Sequence, residues 1–362
     1  MSLINGVNAT TAADQPPLVM RFGAFGDMVL LTILLRHLHE RFGKLVDVIS
    51  SGPWTRPLLE GQPWLGRLFV IRSRRTPYFL SRDQQRLVSW LRQRAAGPTW
   101  YCDRDLGLAL LERGGIPQRY ICDTRVFDWS PDECVADRYI RIGNEAPEGL
   151  LGQLPPPRPA SSRAAKLFLS DSSRRAADAW LAQRNLGDRP YIVVHPGCRH
   201  IARRAVRSRE GTDKYWPEAR WSNVIRSLRE HRPDHAIVLT GTRAESLFNA
   251  EIVRQSGIWD VHNVADELPV STLLPFLERA HSMISVDTGP AHAAAALGTA
   301  TVALYGTASA VVFRPGGATT HAAALTGIID GAQNILGISA DAVTAAWLDL
   351  TDNPPAARIA CA

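Results

Sequence analysis

Asp27, Lys214 and Asp287 stand where short apolar runs give way to helical patterns. A carboxylate in such a place has two uses. It caps the helix, or it faces a ligand at the C-terminal edge of a parallel sheet. Asp287 opens the turn Asp287-Thr288-Gly289-Pro290, between the apolar run 283–286 and the alanine-rich, helix-prone stretch 291–297. A helix that starts at Gly289 and Pro290 has unpaired backbone N–H groups and a positive dipole end. Pro290 suits its first turn, and Gly289 admits a ligand close to the backbone. These features predict an anion site, with simple capping by Asp287 or Thr288 as the alternative. Lys214 is a cation between a strand edge and a helix, and its plain alternative is a surface lysine. His292 lies within one turn of the anion site, where it either packs or makes contact.

The elements around these residues alternate between strand and helix. Residues 18–22 (LVMRF) read as a strand and 23–27 as a turn. Met28, Leu31, Leu34, Leu35 and Leu38 form a helical stripe over 28–41, and a second strand follows at 45–49. A second βαβ unit spans 283–306, so parallel sheets are expected. Further strands are read at 191–194, 236–240 and 261–263. The turn from Gly241 to Glu245 leads into a helix that ends near Gly257, and a last helix covers 339–350. Tyr215 and Trp216 are expected to pack at a helix entry. Residues 50–150 alternate short apolar runs with breakers and carry Arg67, Arg72, Arg74, Arg75, Arg82 and Arg86. These arginines form either a solvated basic face or a face for an anionic acceptor. The proline-rich stretch 154–162 is the clearest boundary.

The 362 residues suit about two domains. A net charge of +6 and a pI near 9.3 are too mild to argue for nucleic acid. They suit an anionic small molecule and allow peripheral contact with an anionic membrane surface. The five cysteines have neither metal-ligand nor disulfide-framework spacing, so no metal is expected and a reduced, cytoplasmic setting is the simplest reading. No apolar run is long enough to span a bilayer. Residues 1–17 read as an N-terminal extension.

Taken together, the motifs MRFGAFGDMVLLTILLRHLHERF, VVHPG, DKYWPEARW, IVLTGTRAE and VDTGPAHAAAALGTATVALYG, in that order over residues 18–306, resemble the ADP-heptose:lipopolysaccharide heptosyltransferase family, glycosyltransferase family 9. The resemblance implies an α/β protein of GT-B architecture, with two Rossmann-like domains whose parallel sheets face a cleft. Residues 18–160 would bind the acceptor and 161–362 the nucleotide sugar. It implies inverting, metal-independent transfer of a heptose-type sugar from an ADP-sugar to a hydroxyl. The acceptor would be lipopolysaccharide core, a related glycan or glycolipid, or a small molecule; there is no cofactor, and the ADP-sugar is a co-substrate.

By the same resemblance Asp27 is the base, Lys214 neutralises the diphosphate and Asp287 holds sugar hydroxyls. Thr288 and Gly289 offer N–H groups to phosphate, with Pro290 and His292 beside them. Glu245, near Gly241, is the candidate for the ribose. Gly26, Arg72, Arg74, Arg75, Arg203 and Arg204 are candidates for acceptor or phosphate contact. A helix mouth stabilises the carboxylate form of an acid and weakens it as a base, which suits late proton transfer at an oxocarbenium-like transition state. The basic loop 199–209 is longer than the family pattern leads one to expect. The competing readings are a transferase for small natural products, a UDP-sugar epimerase-like enzyme and a non-catalytic nucleotide-binding protein.

Overall fold

The structure, a computed structural model, describes residues 11–103, 107–187, 189–198, 212–317 and 321–353. It is an α/β protein with two parallel sheets. Packing divides the chain into two units. The first runs through Ala24 and resumes over Leu34–Trp129 and Tyr139–Ser161. The second takes in Phe25–Ile33, Ser130–Arg138 and the chain from Ser162 onward.

The first unit holds five strands: β1 (Leu18–Met20), β2 (Val46–Ser51), β3 (Leu65–Ile71), β4 (Thr99–Tyr101) and β5 (Ile121–Asp123). Their order is β3-β2-β1-β4-β5, and every pairing is parallel. Leu18, Met20 and Ile49 are fully buried beside Leu87, Leu91 and Leu111 from the covering helices. Burial on both faces explains why these strands read as continuous apolar runs. The short apolar runs 68–71 and 87–91 read as candidate elements in the sequence, and they fall within β3 and the helix Arg82–Gln93, whose types and starts were not legible. The strand's middle is only partly buried, and five arginines in residues 72–86 interrupt the pattern.

The second unit holds β6 (Tyr191–His195), β7 (Ala236–Leu239), β8 (Val261–Asn263), β9 (Ser282–Val286), β10 (Ala300–Tyr305) and β11 (Ala322–Thr326). Their order is β11-β10-β9-β6-β7-β8, again all parallel. The order therefore reverses between β6 and β9, where open α/β sheets bind ligands beyond their C-terminal ends. The sheet's core includes Ile192, Val194, Ile284, Val286, Val302 and Leu304, all fully buried. Ser339 caps the last helix, Ala340–Asp352, through the Ala342 N–H at 3.1 Å. Trp347 of that helix is fully buried, and its indole donates to Ser282 Oγ at 2.8 Å. β11 was not legible in the sequence, because AAALT carries little strand signal without its partner β10.

The helix Phe25–Phe42 starts three residues before the expected Met28. Asp27 thus lies inside the first helical turn and is not the N-cap. Among the described residues no helix is long and apolar enough to cross a membrane.

Candidate active site

The C-terminal edge of the second sheet collects most of the predicted residues. Asp287 follows β9, and its N–H is fixed by the Leu304 carbonyl at 2.9 Å. Its carboxylate is buried, with 8% exposure. Lys214 donates to Asp287 Oδ2 at 2.6 Å and to the Asp287 carbonyl at 2.7 Å. His292 sits on the other side, with Nε2 3.4 Å from Asp287 Oδ1. The Gly316 N–H donates to His292 Nδ1 at 3.3 Å. That bond leaves the ring proton on Nε2, directed at Asp287. Burial pushes the Asp287 carboxyl up, but the His292 bond and the Lys214 charge outweigh it and hold the group below the usual carboxylate range.

Neither Asp287 nor Thr288 caps the following helix with its side chain. Ser285 donates its hydroxyl to the Val286 carbonyl at 2.7 Å. Thr288 therefore donates to Ser285 Oγ, 3.0 Å away, and its side chain makes no cap bond. The helix Gly289–Ala296 thus starts with Pro290 in its first turn and without a side-chain acceptor on its leading N–H groups. Thr288 is the N-cap by position, but the side-chain bond of the capping alternative is not made.

Lys214 owes its place to its neighbours. Trp216 is fully buried, donates to the Ile338 carbonyl at 3.1 Å and stands edge-on to Trp221 at 4.8 Å. Tyr215 donates to Glu218 Oε2 at 2.6 Å. The packing expected of both residues is present. Gly306, just past β10, lets the Asp213 backbone come so close that a Cβ there would lie 1.6 Å from the Asp213 carbonyl oxygen. Thr307 adds a hydroxyl bond to Asp213 Oδ2 at 2.8 Å. No chemical signal at Gly306 betrayed this role; only a strand-terminal glycine was visible.

Gly26 and Gly289 are a second pair of close approaches. A Cβ on Gly26 would lie 2.9 Å from His292 Cδ2 and 3.3 Å from Gly289 Cα, and one on Gly289 would lie 2.6 Å from Phe25 Cδ1. The N-termini of the helices Phe25–Phe42 and Gly289–Ala296 therefore meet within the second unit, and half-buried Asp27 follows Gly26 at that meeting.

Glu245 and Gly241 form a separate cluster on the same sheet edge. Glu245 is buried, and its Oε2 accepts from the Thr242 N–H at 2.6 Å and the Thr242 hydroxyl at 2.8 Å. Gly197 and Gly241 make room for it: a Cβ on either would come within 2.7 or 3.2 Å of the Glu245 carboxylate. Burial pushes the neighbouring His195 down, and its Nδ1 bonds Thr240 Oγ1 at 2.9 Å.

Arg72, Arg74 and Arg75 lie in the first unit and are exposed. Arg74 donates to the Phe22 carbonyl at 3.3 Å, and Arg72 is 3.7 Å from Asp83. Arg74 and Arg75 line a cavity of about 220 Å³ with Phe22, Tyr78 and Arg113. The sequence reading passed over Arg113, which lies in the helix Gly107–Arg113. Arg203 and Arg204, with the loop around them, lie outside the described residues. Among the described residues no group of three His, Cys, Asp or Glu side chains is placed to hold a metal ion.

Several known proteins resemble a chain with this geometry. The profile of Glycosyltransferase family 9 (heptosyltransferase) matches residues 156–327. The chain carries a glycosyltransferase family 9 domain. It is accordingly a transferase of the glycosyltransferase class. Lipopolysaccharide heptosyltransferase 2 of Salmonella typhimurium is 23% identical over 308 residues, covering 78% of this chain and 80% of that protein. The solved ADP-heptose lipopolysaccharide heptosyltransferase II of Escherichia coli is 20% identical, with a TM-score of 0.70 over 94% of this chain and 99% of that one. A glycosyltransferase family 9 structure from Veillonella parvula gives a TM-score of 0.75 at 17% identity, covering 94% and 98%. An Escherichia coli heptosyltransferase solved with ADP gives 0.64 at 16% identity, covering 91% and 98%. At these identities the solved structures speak to fold, and the fold is the GT-B architecture of this family.

Proposed function

We propose that this glycosyltransferase is an inverting, metal-independent enzyme that moves a heptose-type sugar from an ADP-sugar to an acceptor hydroxyl of lipopolysaccharide core or a related glycan. The observation that carries the reading is the Lys214–Asp287–His292 network beside the uncapped mouth of the helix Gly289–Ala296. An ammonium and backbone N–H groups side by side suit a departing diphosphate. Asp287 holds the ammonium there, and His292 steadies the carboxylate from its other oxygen. Each Asp287 oxygen keeps further acceptor capacity, so sugar hydroxyls add to these bonds without replacing them. The relatives' names, which specify ADP-heptose and lipopolysaccharide, support the donor and acceptor classes.

In this reading Asp27 takes the proton from the acceptor hydroxyl. The acceptor oxygen bonds to the anomeric carbon on the face opposite the diphosphate, the bond from that carbon to the diphosphate oxygen breaks, and ADP leaves. Glu245, in its glycine-lined cluster, is the proposed ribose contact. Residues 18–160 are the proposed acceptor side and 161–362 the donor side.

The test is ADP release by the purified chain given ADP-heptose and a heptose-deficient lipopolysaccharide acceptor. Asp27→Asn is expected to lower turnover by about 10²–10⁴-fold while keeping ADP affinity. Wild-type turnover retained in that variant would remove Asp27 from the role of base. A wild-type chain that neither binds ADP nor releases it would overturn the whole reading.

A further inference from the structure

The segment between β3 and the helix Arg82–Gln93 has a shape that the transfer reaction does not require. Phe79 and Leu80 stand side by side at 74% and 65% exposure. Single exposed apolar residues are ordinary. Here, however, the backbone beneath the pair is fastened from several sides. The Gln85 amide donates to the Tyr78 and Phe79 carbonyls at 3.2 and 3.0 Å. The Gln84 amide donates to the Ser73 and Thr76 carbonyls at 3.0 and 2.9 Å. Ser81 caps the following helix through the Gln84 N–H. Tyr78 turns inward against the first unit's core, with the Arg113 guanidinium 4.9 Å from its ring centroid. Phe79 and Leu80 are thus held out on a fixed tip.

The charge around the tip has one sign. Residues 72–86 contain five arginines and one acid, Asp83. Arg72, Arg75, Arg82 and Arg86 are exposed on the segment, and Asp83 is paired with Arg72. Apolar side chains at an apex with cations around them match one kind of surface closely. The anionic headgroups of a bilayer meet the arginines, and the acyl boundary below takes the aromatic and aliphatic groups.

We propose that the Phe79–Leu80 tip and its surrounding arginines dock the chain on an anionic lipid bilayer. The attachment is weak and reversible, since two apolar side chains and a basic patch are the least that holds a protein at an interface. It concerns where the chain works and does not depend on which sugar or nucleotide it handles.

The test is co-sedimentation of the full chain with vesicles of phosphatidylcholine alone or mixed with phosphatidylglycerol. Wild type is expected on the phosphatidylglycerol vesicles only, and to come off as salt rises to about 0.5 M and the Debye length shrinks. Phe79→Ser with Leu80→Ser, and separately Arg82→Gln with Arg86→Gln, are each expected to weaken binding about tenfold at an unchanged melting temperature. Should the first pair lower the melting temperature, the arginine pair decides. The proposal is overturned if wild type ignores phosphatidylglycerol vesicles. It is equally overturned if well-folded Ser variants bind as wild type does, because the whole chain's positive charge would then explain adsorption without the tip. ADP release measured on the same preparations, with a soluble acceptor, reports on the transfer reading separately.

Discussion

Lys214 and Asp287 are better understood as one unit than as a catalytic lysine and a separate sugar-binding carboxylate. The ammonium spends two of its three donors on Asp287, once on the carboxylate and once on the backbone carbonyl. The pair is largely removed from water, with side-chain exposures of 24% and 10%. Replacing Lys214 by Met leaves a buried carboxylate with only His292, so both stability and chemistry are expected to suffer. In steady-state kinetics Lys214→Met should lower kcat/KM for the ADP-sugar by about 10²–10³-fold, the size of a lost transition-state donor. In the double variant with Asp287→Asn the two losses should be strongly non-additive, as expected of residues in contact. Additive losses would show that the two act apart. Unchanged turnover in Lys214→Met would remove the lysine from the diphosphate role.

At the scale of elements, the site depends on glycines that no chemical criterion selects. Gly306, just past β10, abuts the carbonyl of Asp213, one residue before Lys214. A methyl group there meets backbone, which cannot swing aside as a flexible side chain can, so the turn 212–214 must move. Gly306→Ala is therefore expected to lower kcat about 10–100-fold with Lys214 still present, on the rule that small misplacements of a catalytic group are costly. Isothermal titration with ADP would show weakened binding in parallel. Wild-type kcat in a folded Gly306→Ala protein would contradict this account of how Lys214 is placed. The meeting of the two helix N-termini at Gly26 and Gly289 follows the same logic: absent side chains let Phe25 and His292 approach.

At the scale of the whole molecule, the second sheet's two ends behave differently towards acid. His235 and His281 stand at its N-terminal end, ahead of β7 and β9, with their rings perpendicular and 4.6 Å apart. His281 also faces Trp347 of the last helix at 6.5 Å. Burial, then the charges of His281 and Arg232, push His235 down to about 4 from an ordinary 6.5; burial first, then Arg232, lowers His281 as well. Both rings stay neutral in the folded chain while their unfolded counterparts take up protons. Stability is therefore complete above about pH 6.5 and is lost as pH falls towards about 4. The Asp287 carboxyl, held low, yields stability only at more acidic pH still. Melting temperatures measured from pH 7 to pH 4 should fall, and His235→Gln should fall less steeply. A parallel fall in that variant would assign the acid sensitivity elsewhere.

The sequence by itself determined the alternation of strand and helix, the parallel character of the sheets and the turns that carry Lys214 and Asp287, while Asp27 proved to lie inside the helix expected to follow it. Those features are local: apolar runs, alanine-rich helix, proline at a helix start and glycine at its end are all read over a few residues. The family motifs assigned Lys214 to the diphosphate and Asp287 to sugar hydroxyls, but not the direct ion pair between them, which bridges 73 residues of chain. Only the tertiary structure decided what each side chain does with its hydrogen bonds. Thr288 turned to Ser285 and left the helix uncapped, and Asp287 was committed to Lys214 and His292. Gly316 set the histidine's tautomer, and Gly306 became a point of contact. These outcomes rest on approaches between segments far apart in the chain, which no pattern of local spacing encodes. The exposed tip at Phe79 and Leu80 has the same origin. Its composition was visible, but the two glutamine amides that hold it outward are a property of the folded chain.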